Sequence, residues 1–186
     1  MSRILKLLLL LIFMLATANA AEKERNGGPY IGVDYGVCQY NDNGFYTDVK
    51  DTQMASYGFY GGAYINRYLS VELNYMKSGD FKVVDSVSNK NSFNYSAVTV
   101  NALAHYPLWY DAIDLYAKFG AGQSYTNLST KDGSALVVGA GASYRLDEMF
   151  ALKIAYDMYS FNYESSTRGK FDMDIQYAYA GIEVQF

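Results

Sequence analysis

The chain of 186 residues is short of cysteine, histidine and basic charge, and these shortages exclude several classes of function. Cys38 is the only cysteine, so an intramolecular disulfide and a cysteine-based metal site are both excluded. The 15 basic residues are outnumbered by 19 acidic ones, which argues against nucleic acid as a partner. The Gly-x-Gly pairs at 120–122 and 139–141 precede no helical pattern, so no phosphate-binding loop is predicted. We therefore expect no cofactor and no metal.

The first twenty residues have the pattern of a cleaved secretory signal peptide. Arg3 and Lys6 supply positive charge, residues 7–15 are apolar, and residues 18–20 read Ala-Asn-Ala, a small-x-small cleavage site. An uncleaved anchor is the alternative, whereas a lipoprotein is disfavoured because no cysteine follows the apolar run. Residues 21–186 form one predicted domain. They hold no other run approaching about eighteen apolar residues, so a membrane protein made from them must be a closed barrel.

Aromatic residues are abundant, and apolar and polar positions alternate along the chain. Twenty tyrosines and ten phenylalanines suit strands and membrane interfaces, and there are only two prolines. Near the C-terminus, Phe186, Val184 and Ile182 share one apolar face, while Gln185 and Glu183 lie on the other, which is the period of a strand between two unlike environments. The same alternation predicts eight strands, near 29–40, 54–66, 69–77, 94–106, 114–125, 135–146, 150–159 and 173–186.

The connections between these strands alternate in length. Three are short turns and four are long, polar loops; the turns are 66–68, 107–113 and 147–149, and the loops are 41–53, 78–93, 126–134 and 160–172. This arrangement predicts an all-β, eight-stranded antiparallel up-and-down transmembrane barrel with both termini at the short-turn end. A soluble barrel of the lipocalin type also has eight such strands, but it places its apolar face inward. The terminal strand by itself would also suit the edge of a soluble sandwich.

One face of the predicted strands combines glycine with tyrosine and carries the charged residues. Small residues beside large ones fill the narrow interior of an eight-stranded barrel, so we place this face inside. Charges removed from water must be paired. We therefore predict an interior ionic cluster toward the short-turn end, formed by Glu72, Lys118, Arg145, Lys153 and Glu183. The alternative is that these charges are solvated on the outside of a soluble barrel.

Three segments carry a resemblance to a known family: Tyr-Ile-Gly-Val-Asp-Tyr-Gly at 30–36, Tyr-Ala-Lys-Phe-Gly-Ala-Gly at 116–122, and the closing strand that ends on Phe186. Together with the signal peptide, they resemble the small eight-stranded outer-membrane barrels, such as the OmpA transmembrane domain, OmpX and opacity-type proteins. The resemblance implies the outer membrane of a Gram-negative bacterium, long loops outside the cell, contact with lipid and lipopolysaccharide, and an ionic plug. It also implies that the barrel assembly machinery and periplasmic chaperones recognise Phe186, Val184 and Ile182. Unlike full-length OmpA, the chain is expected to carry no peptidoglycan-binding domain.

The sequence leaves three functions open. The resemblance implies a structural or surface-interaction protein, adhesin- or opacity-like, whose long loops bind a host or extracellular ligand. A narrow porin-like channel for ions or small solutes is the alternative, with the interior charges lining a thin path. A barrel enzyme acting on lipid A would need a histidine-based nucleophile site, but no serine lies two residues after His105, the only histidine, and no third member is identifiable. We therefore predict that the chain is not an enzyme.

Overall fold

The computed structural model describes residues 27–41, 48–49, 53–84, 90–109, 112–126, 133–165 and 169–186. The signal peptide predicted at 1–20 lies outside the described residues. Within the described ranges, no helix has the length and apolar character needed to cross a bilayer.

Eleven strands make up most of the described chain, and eight of them close into a barrel. In chain order they are β1 (Gly28–Asn41), β2 (Asp48–Val49), β3 (Gln53–Asn66), β4 (Leu69–Ser78), β5 (Phe81–Val84), β6 (Lys90–Phe93), β7 (Tyr95–Leu108), β8 (Ile113–Thr126), β9 (Gly133–Arg145), β10 (Phe150–Ser165) and β11 (Gly169–Gln185). The order around the barrel is β1-β11-β10-β9-β8-β7-β4-β3, and neighbouring strands are antiparallel. The barrel closes between β1 and β11, from Tyr30 opposite Gln185 to Asn41 opposite Asp174.

Successive residues along each barrel strand point alternately outward and inward. In β1, Ile31, Val33 and Tyr35 are 55%, 50% and 66% exposed, whereas Tyr30 and Asp34 are 1% and 5% exposed. The other barrel strands repeat this pattern, with large apolar residues outside and many tyrosines and charged residues inside. An apolar outer face is the opposite of what a lipocalin-type barrel presents, so the structure excludes that alternative. The outer band suits contact with the hydrocarbon of a bilayer.

Three segments predicted as loops contain strands that the sequence pattern missed. The segment 41–53 holds β2. The segment 78–93 holds β5 and β6, which join β2 in a three-stranded sheet outside the barrel. The segment 160–172 is mostly strand, because β10 and β11 stay paired as far as Ser165 opposite Gly169. A bilayer crossing needs only about 9–11 residues per strand. The part of a strand that extends beyond the bilayer does not face lipid. The alternation of apolar and polar residues that predicts a strand is therefore not required there.

Glycines make room in the narrow lumen for the aromatic rings that fill it. A Cβ on Gly62 would lie 2.6 Å from Cζ of Tyr30, and one on Gly141 would lie 2.5 Å from Cζ of Tyr116. Eight strands leave an interior only wide enough for side chains, so each ring must lie against backbone that has no side chain of its own. On the outer face next to Gly62, a Cβ on Gly61 would have its nearest neighbours at 3.6 Å.

The substitutions Gly62→Val and Gly61→Val place the same side chain at adjacent positions on opposite faces of β3. We expect Gly62→Val to destabilise the barrel by about 1–3 kcal/mol, the usual cost of overpacking, and Gly61→Val to leave its stability near that of the parent. Refolding in detergent, followed by heat-modifiable mobility on gels, measures the folded fraction and its melting temperature. Equal melting of the two variants would contradict this account of lumen packing.

Candidate functional site

Five charged side chains meet in the short-turn half of the lumen, and we call them the ionic tier: Glu72, Lys118, Lys153, Asp157 and Glu183. Lys118 Nζ lies 3.2 Å from Glu72 Oε1 and 2.9 Å from Asp157 Oδ2. Lys153 Nζ lies 3.1 Å from Glu72 Oε2 and 3.8 Å from Glu183 Oε2. All five residues are at most 5% exposed. Glu72 on β4 therefore bridges lysines that come from β8 and β10 across the barrel.

Tyrosines complete the surroundings of the two buried lysines. Lys118 Nζ donates a hydrogen bond to the hydroxyl of Tyr179 at 3.1 Å, and that hydroxyl donates to Asp157 Oδ2 at 3.1 Å. Lys153 Nζ lies 4.1 Å from the ring centroid of Tyr60, where the negative face of the ring takes the place of water around the ammonium group. Removing one partner from such a network is costly, because it leaves an uncompensated buried charge.

The structure places four of the five residues of the sequence-based cluster in the ionic tier and the fifth, Arg145, at the short-turn rim. Arg145 Nη2 donates to Gln185 Oε1 at 2.9 Å, and with Glu183 it lines a niche at that rim. Asp157 is the member of the tier that the sequence-based cluster lacked. It lies on the same face of β10 as Lys153, and it is level with Lys118 because both residues pair with Gly139 on the intervening strand β9.

A second buried cluster joins Ser70, His105 and Asp114 near the short-turn end. His105 Nδ1 lies 2.6 Å from Asp114 Oδ2, and His105 Nε2 lies 2.8 Å from Ser70 Oγ. Sequence reasoning missed both partners because they lie on β4 and β8, and only the strand order places these on either side of β7. The groups occur in the order of a nucleophile triad. However, Ser70 is 0% exposed, so its hydroxyl meets no substrate and we assign it no catalytic role.

Tyr30 connects this second cluster to the ionic tier. Its hydroxyl lies 3.3 Å from Ser70 Oγ and 3.4 Å from Glu72 Oε2. Beside it, the hydroxyl of Tyr64 donates to Glu183 Oε1 at 3.2 Å. A continuous chain of hydrogen-bonding groups therefore runs through the lumen from Asp114 to Glu72.

Apolar and aromatic side chains fill much of the long-loop half of the lumen, and we call them the apolar tier. Cys38, Met76, Val137 and Ile175 are all 0% exposed. The members among the described residues are Cys38, Tyr40, Met76, Phe81, Tyr95, Ala97, Val137, Tyr159, Phe161, Met173, Ile175, Tyr177 and Tyr179. Six of the eight barrel strands contribute to it. The glycine, tyrosine and charge predicted for the inner face did not include this apolar layer.

The closing strand places its three predicted signal residues along the outer face. Phe186 and Ile182 are 66% and 49% exposed, and Val184 is partly exposed. The backbone N–H of Phe186 donates to the carbonyl of Pro29 at 3.0 Å, so the last residue is held against β1. The recognition of this stripe during assembly stays a prediction.

Comparisons with known proteins agree with this architecture. The sequence pattern of the "Outer membrane protein beta-barrel domain" matches residues 7–186. Outer membrane protein A of Escherichia coli O157:H7 is 27% identical over 149 residues, covering 75% of this chain and 42% of that protein. The chain spans less than half the length of the curated relatives it matches.

Two solved structures share the fold. Neisserial surface protein A superimposes with a TM-score of 0.65 at 14% identity, covering 87% of this chain and all of that one. Ail, the attachment invasion locus protein of Yersinia pestis, superimposes with a TM-score of 0.58 at 16% identity, covering 88% of this chain and all of that one. At these identities the likeness is one of fold.

The substitution Lys153→Met removes the ammonium group that lies between Glu72 and Glu183. We expect it to destabilise the barrel by roughly 3–5 kcal/mol, because it leaves buried carboxylates short of a cation. Lys77→Met, on the outer face of β4, is the matched control and is expected to have a small effect. Melting temperatures of the refolded variants, followed by gel mobility, compare the two. A Lys153→Met barrel that melts with the control would show that the ion pairs are not needed for stability.

Proposed function

The chain belongs to the outer membrane protein beta-barrel domain family, and from this membership we propose that it is a surface-interaction protein built on a closed barrel. It is a protein of the Gram-negative outer membrane, and its apolar outer face lies against lipid. In barrels of this kind the short turns face the periplasm and the long loops face the outside of the cell. The proposed role is adhesin- or opacity-like, with the long-loop end contacting molecules outside the cell.

The apolar tier is the observation that carries this proposal. A solute crossing the lumen would have to displace fully buried side chains such as Met76, Val137 and Ile175. An apolar constriction also opposes the passage of ions, since they would lose water there without gaining polar partners. A filled lumen makes the barrel a rigid support, and loops held on a rigid support are where binding residues are usually found.

The composition of the long-loop end supports a partner that is not a polyanion. The four long-loop segments predicted from the sequence carry eight acidic and six basic residues, so this end has no excess of positive charge. Ail of Yersinia pestis has been solved in complex with the heparin analogue sucrose octasulfate. For the present chain we propose an uncharged or basic partner, because an acidic surface would repel a sulfated sugar.

Other proposed partners follow from the membrane setting. Lipopolysaccharide would contact the outer end of the apolar band, and the barrel assembly machinery and periplasmic chaperones would recognise the stripe formed by Phe186, Val184 and Ile182. The proposal includes no enzymatic step, since Ser70, the one serine bonded to His105 in the part of the chain that the structure describes, is buried.

A narrow porin-like channel is the alternative, and the charges of the ionic tier favour it. We expect the refolded chain to show no conductance steps in a planar bilayer, because the apolar tier closes the lumen. The double variant Met76→Gly/Ile175→Gly thins that tier and is expected to conduct, whereas Leu136→Gly/Leu152→Gly, on the outer face, is expected to stay silent. Reproducible steps in the parent chain that change with Glu72→Ala or Arg145→Ala would support the channel and overturn the closed-barrel proposal.

Shortening the projecting hairpins tests the surface role directly. Residues 82–92 and 163–171 are removed and each gap is closed with Asn-Gly, which forms a two-residue hairpin turn. The first new turn joins Phe81 to Phe93, which are paired across β5 and β6. The second joins Asn162 to Asp172, which are paired across β10 and β11. We expect cells displaying this variant to lose binding to epithelial monolayers. A control with a different sequence in the turn at 146–149, at the other end of the barrel, is expected to bind as the parent does. Equal binding by both would contradict the proposal.

A further inference from the structure

We infer that Lys77 binds a phosphate of lipid A, the membrane anchor of lipopolysaccharide, at the outer end of the apolar band. The inference deepens the proposed contact with lipopolysaccharide and rests on it, but it does not depend on the adhesin-like role. It is carried by the position of Lys77 on the outer face of β4, by the groups beside it, and by the absence of an ion pair to it within the described residues.

Lys77 lies where β4 leaves the apolar part of the bilayer. It is the last outward residue of β4, a strand of 10 residues, and about 9–11 residues complete a tilted crossing. The next outward row toward the short turns is apolar and aromatic, and its members, paired across four strands, are Val33, Phe59, Tyr75 and Val98. The ammonium group therefore lies at the boundary between the hydrocarbon and the polar headgroups of the outer leaflet.

Hydroxyl groups flank Lys77 across the neighbouring strands, and we call this set the outer polar row: Tyr35, Tyr57, Lys77 and Ser96. Tyr57 on β3 and Ser96 on β7 are paired with Lys77, and Tyr35 on β1 is paired with Tyr57. Residues that are paired across strands have their Cβ atoms about 5 Å apart. The row therefore places hydroxyl groups on both sides of one ammonium group, and all of these groups can donate hydrogen bonds to the oxygens of a phosphate.

Lys77 differs from the two lysines of the lumen in its surroundings. Lys118 and Lys153 are each met by two carboxylates, whereas no carboxylate in the described part of the chain forms an ion pair with Lys77. A charge on the lipid-facing side of a barrel is tolerated near the interface, where a counter-charge can reach it. The outer leaflet supplies that counter-charge, because lipid A carries its phosphates on sugars that lie next to the acyl chains.

One phosphate is enough for one ammonium group, so the site does not need the excess of positive charge that the long-loop segments lack. A long lysine side chain can also extend into water without binding any lipid. The two cases differ in one measurable respect. Only a lysine that binds phosphate makes the affinity of the barrel for lipid A depend on the phosphates of that lipid.

The test is a titration of the barrel, refolded in an uncharged detergent, with lipid A and with dephosphorylated lipid A. Binding raises the melting temperature on gels, and its dependence on lipid concentration gives the dissociation constant. We expect Lys77→Met to weaken the binding of lipid A by about tenfold, the effect of losing one charge-assisted hydrogen bond. Removing the phosphates is expected to weaken binding to the parent chain by a similar factor. The dephosphorylated lipid is expected to bind the parent and Lys77→Met alike.

Two further variants are controls for charge and for position. Lys77→Arg keeps a cation that donates hydrogen bonds, and it is expected to retain most of the affinity. Arg67→Gln removes an exposed charge at the short-turn end of the barrel, and it is expected to bind lipid A as the parent does. Gel mobility checks that each variant is folded before the titration, and Lys77→Gln takes the place of Lys77→Met if the latter does not refold.

Three results would overturn the inference. The first is a Lys77→Met barrel that binds lipid A as tightly as the parent. The second is an equal loss of affinity in both chains when the phosphates are removed, since the phosphates would then be recognised elsewhere. The third is a parent chain that does not bind lipid A at all, which would also remove the proposed contact with lipopolysaccharide. The first two results leave that contact standing, and none of the three bears on binding to epithelial monolayers.

Discussion

The width of an eight-stranded barrel is the constraint on which the rest of this structure depends. Its interior has room only for side chains. Where one inward position carries a large ring, the position facing that ring must therefore be a glycine, which leaves room for it. Tyr30 lies against Gly62 and Tyr116 lies against Gly141 for this reason. The same confinement removes the interior charges from bulk water, and each buried lysine is therefore met by carboxylates and tyrosines.

Two kinds of side chain fill the lumen, those of the apolar tier and those of the ionic tier. The apolar tier is packed as a protein core is, and members such as Met76 and Val137 are fully buried. The ionic tier is unlike a core, because buried ion pairs stabilise little compared with apolar residues of the same volume. In the proposed function, outside partners are bound by the hairpins that project beyond the barrel.

The architecture could be predicted from the sequence, whereas the contacts inside the lumen could not. Alternation of period two gives strand positions and faces directly, as at Ile31 and Val33 outside and Asp34 inside. The joining of Ser70, His105 and Asp114 depends on which strands are neighbours and in what register, which no local pattern encodes. The place of Asp157 in the ionic tier depends likewise on register, since Asp157 and Lys118 both pair with Gly139. The ends of β10 and β11 were missed because strands beyond the bilayer need no apolar face.

The reactivity of Cys38 measures most directly whether the lumen is closed. This residue is the only cysteine, it lies in the apolar tier, and it is 0% exposed, so no engineered probe is needed. Barrels refolded in detergent are treated with a small charged methanethiosulfonate reagent before and after heat unfolding, and labelling is read by mass spectrometry. A closed lumen predicts no labelling of the folded barrel and complete labelling of the unfolded chain. Labelling of the folded barrel at a rate close to that of the unfolded chain would contradict the account.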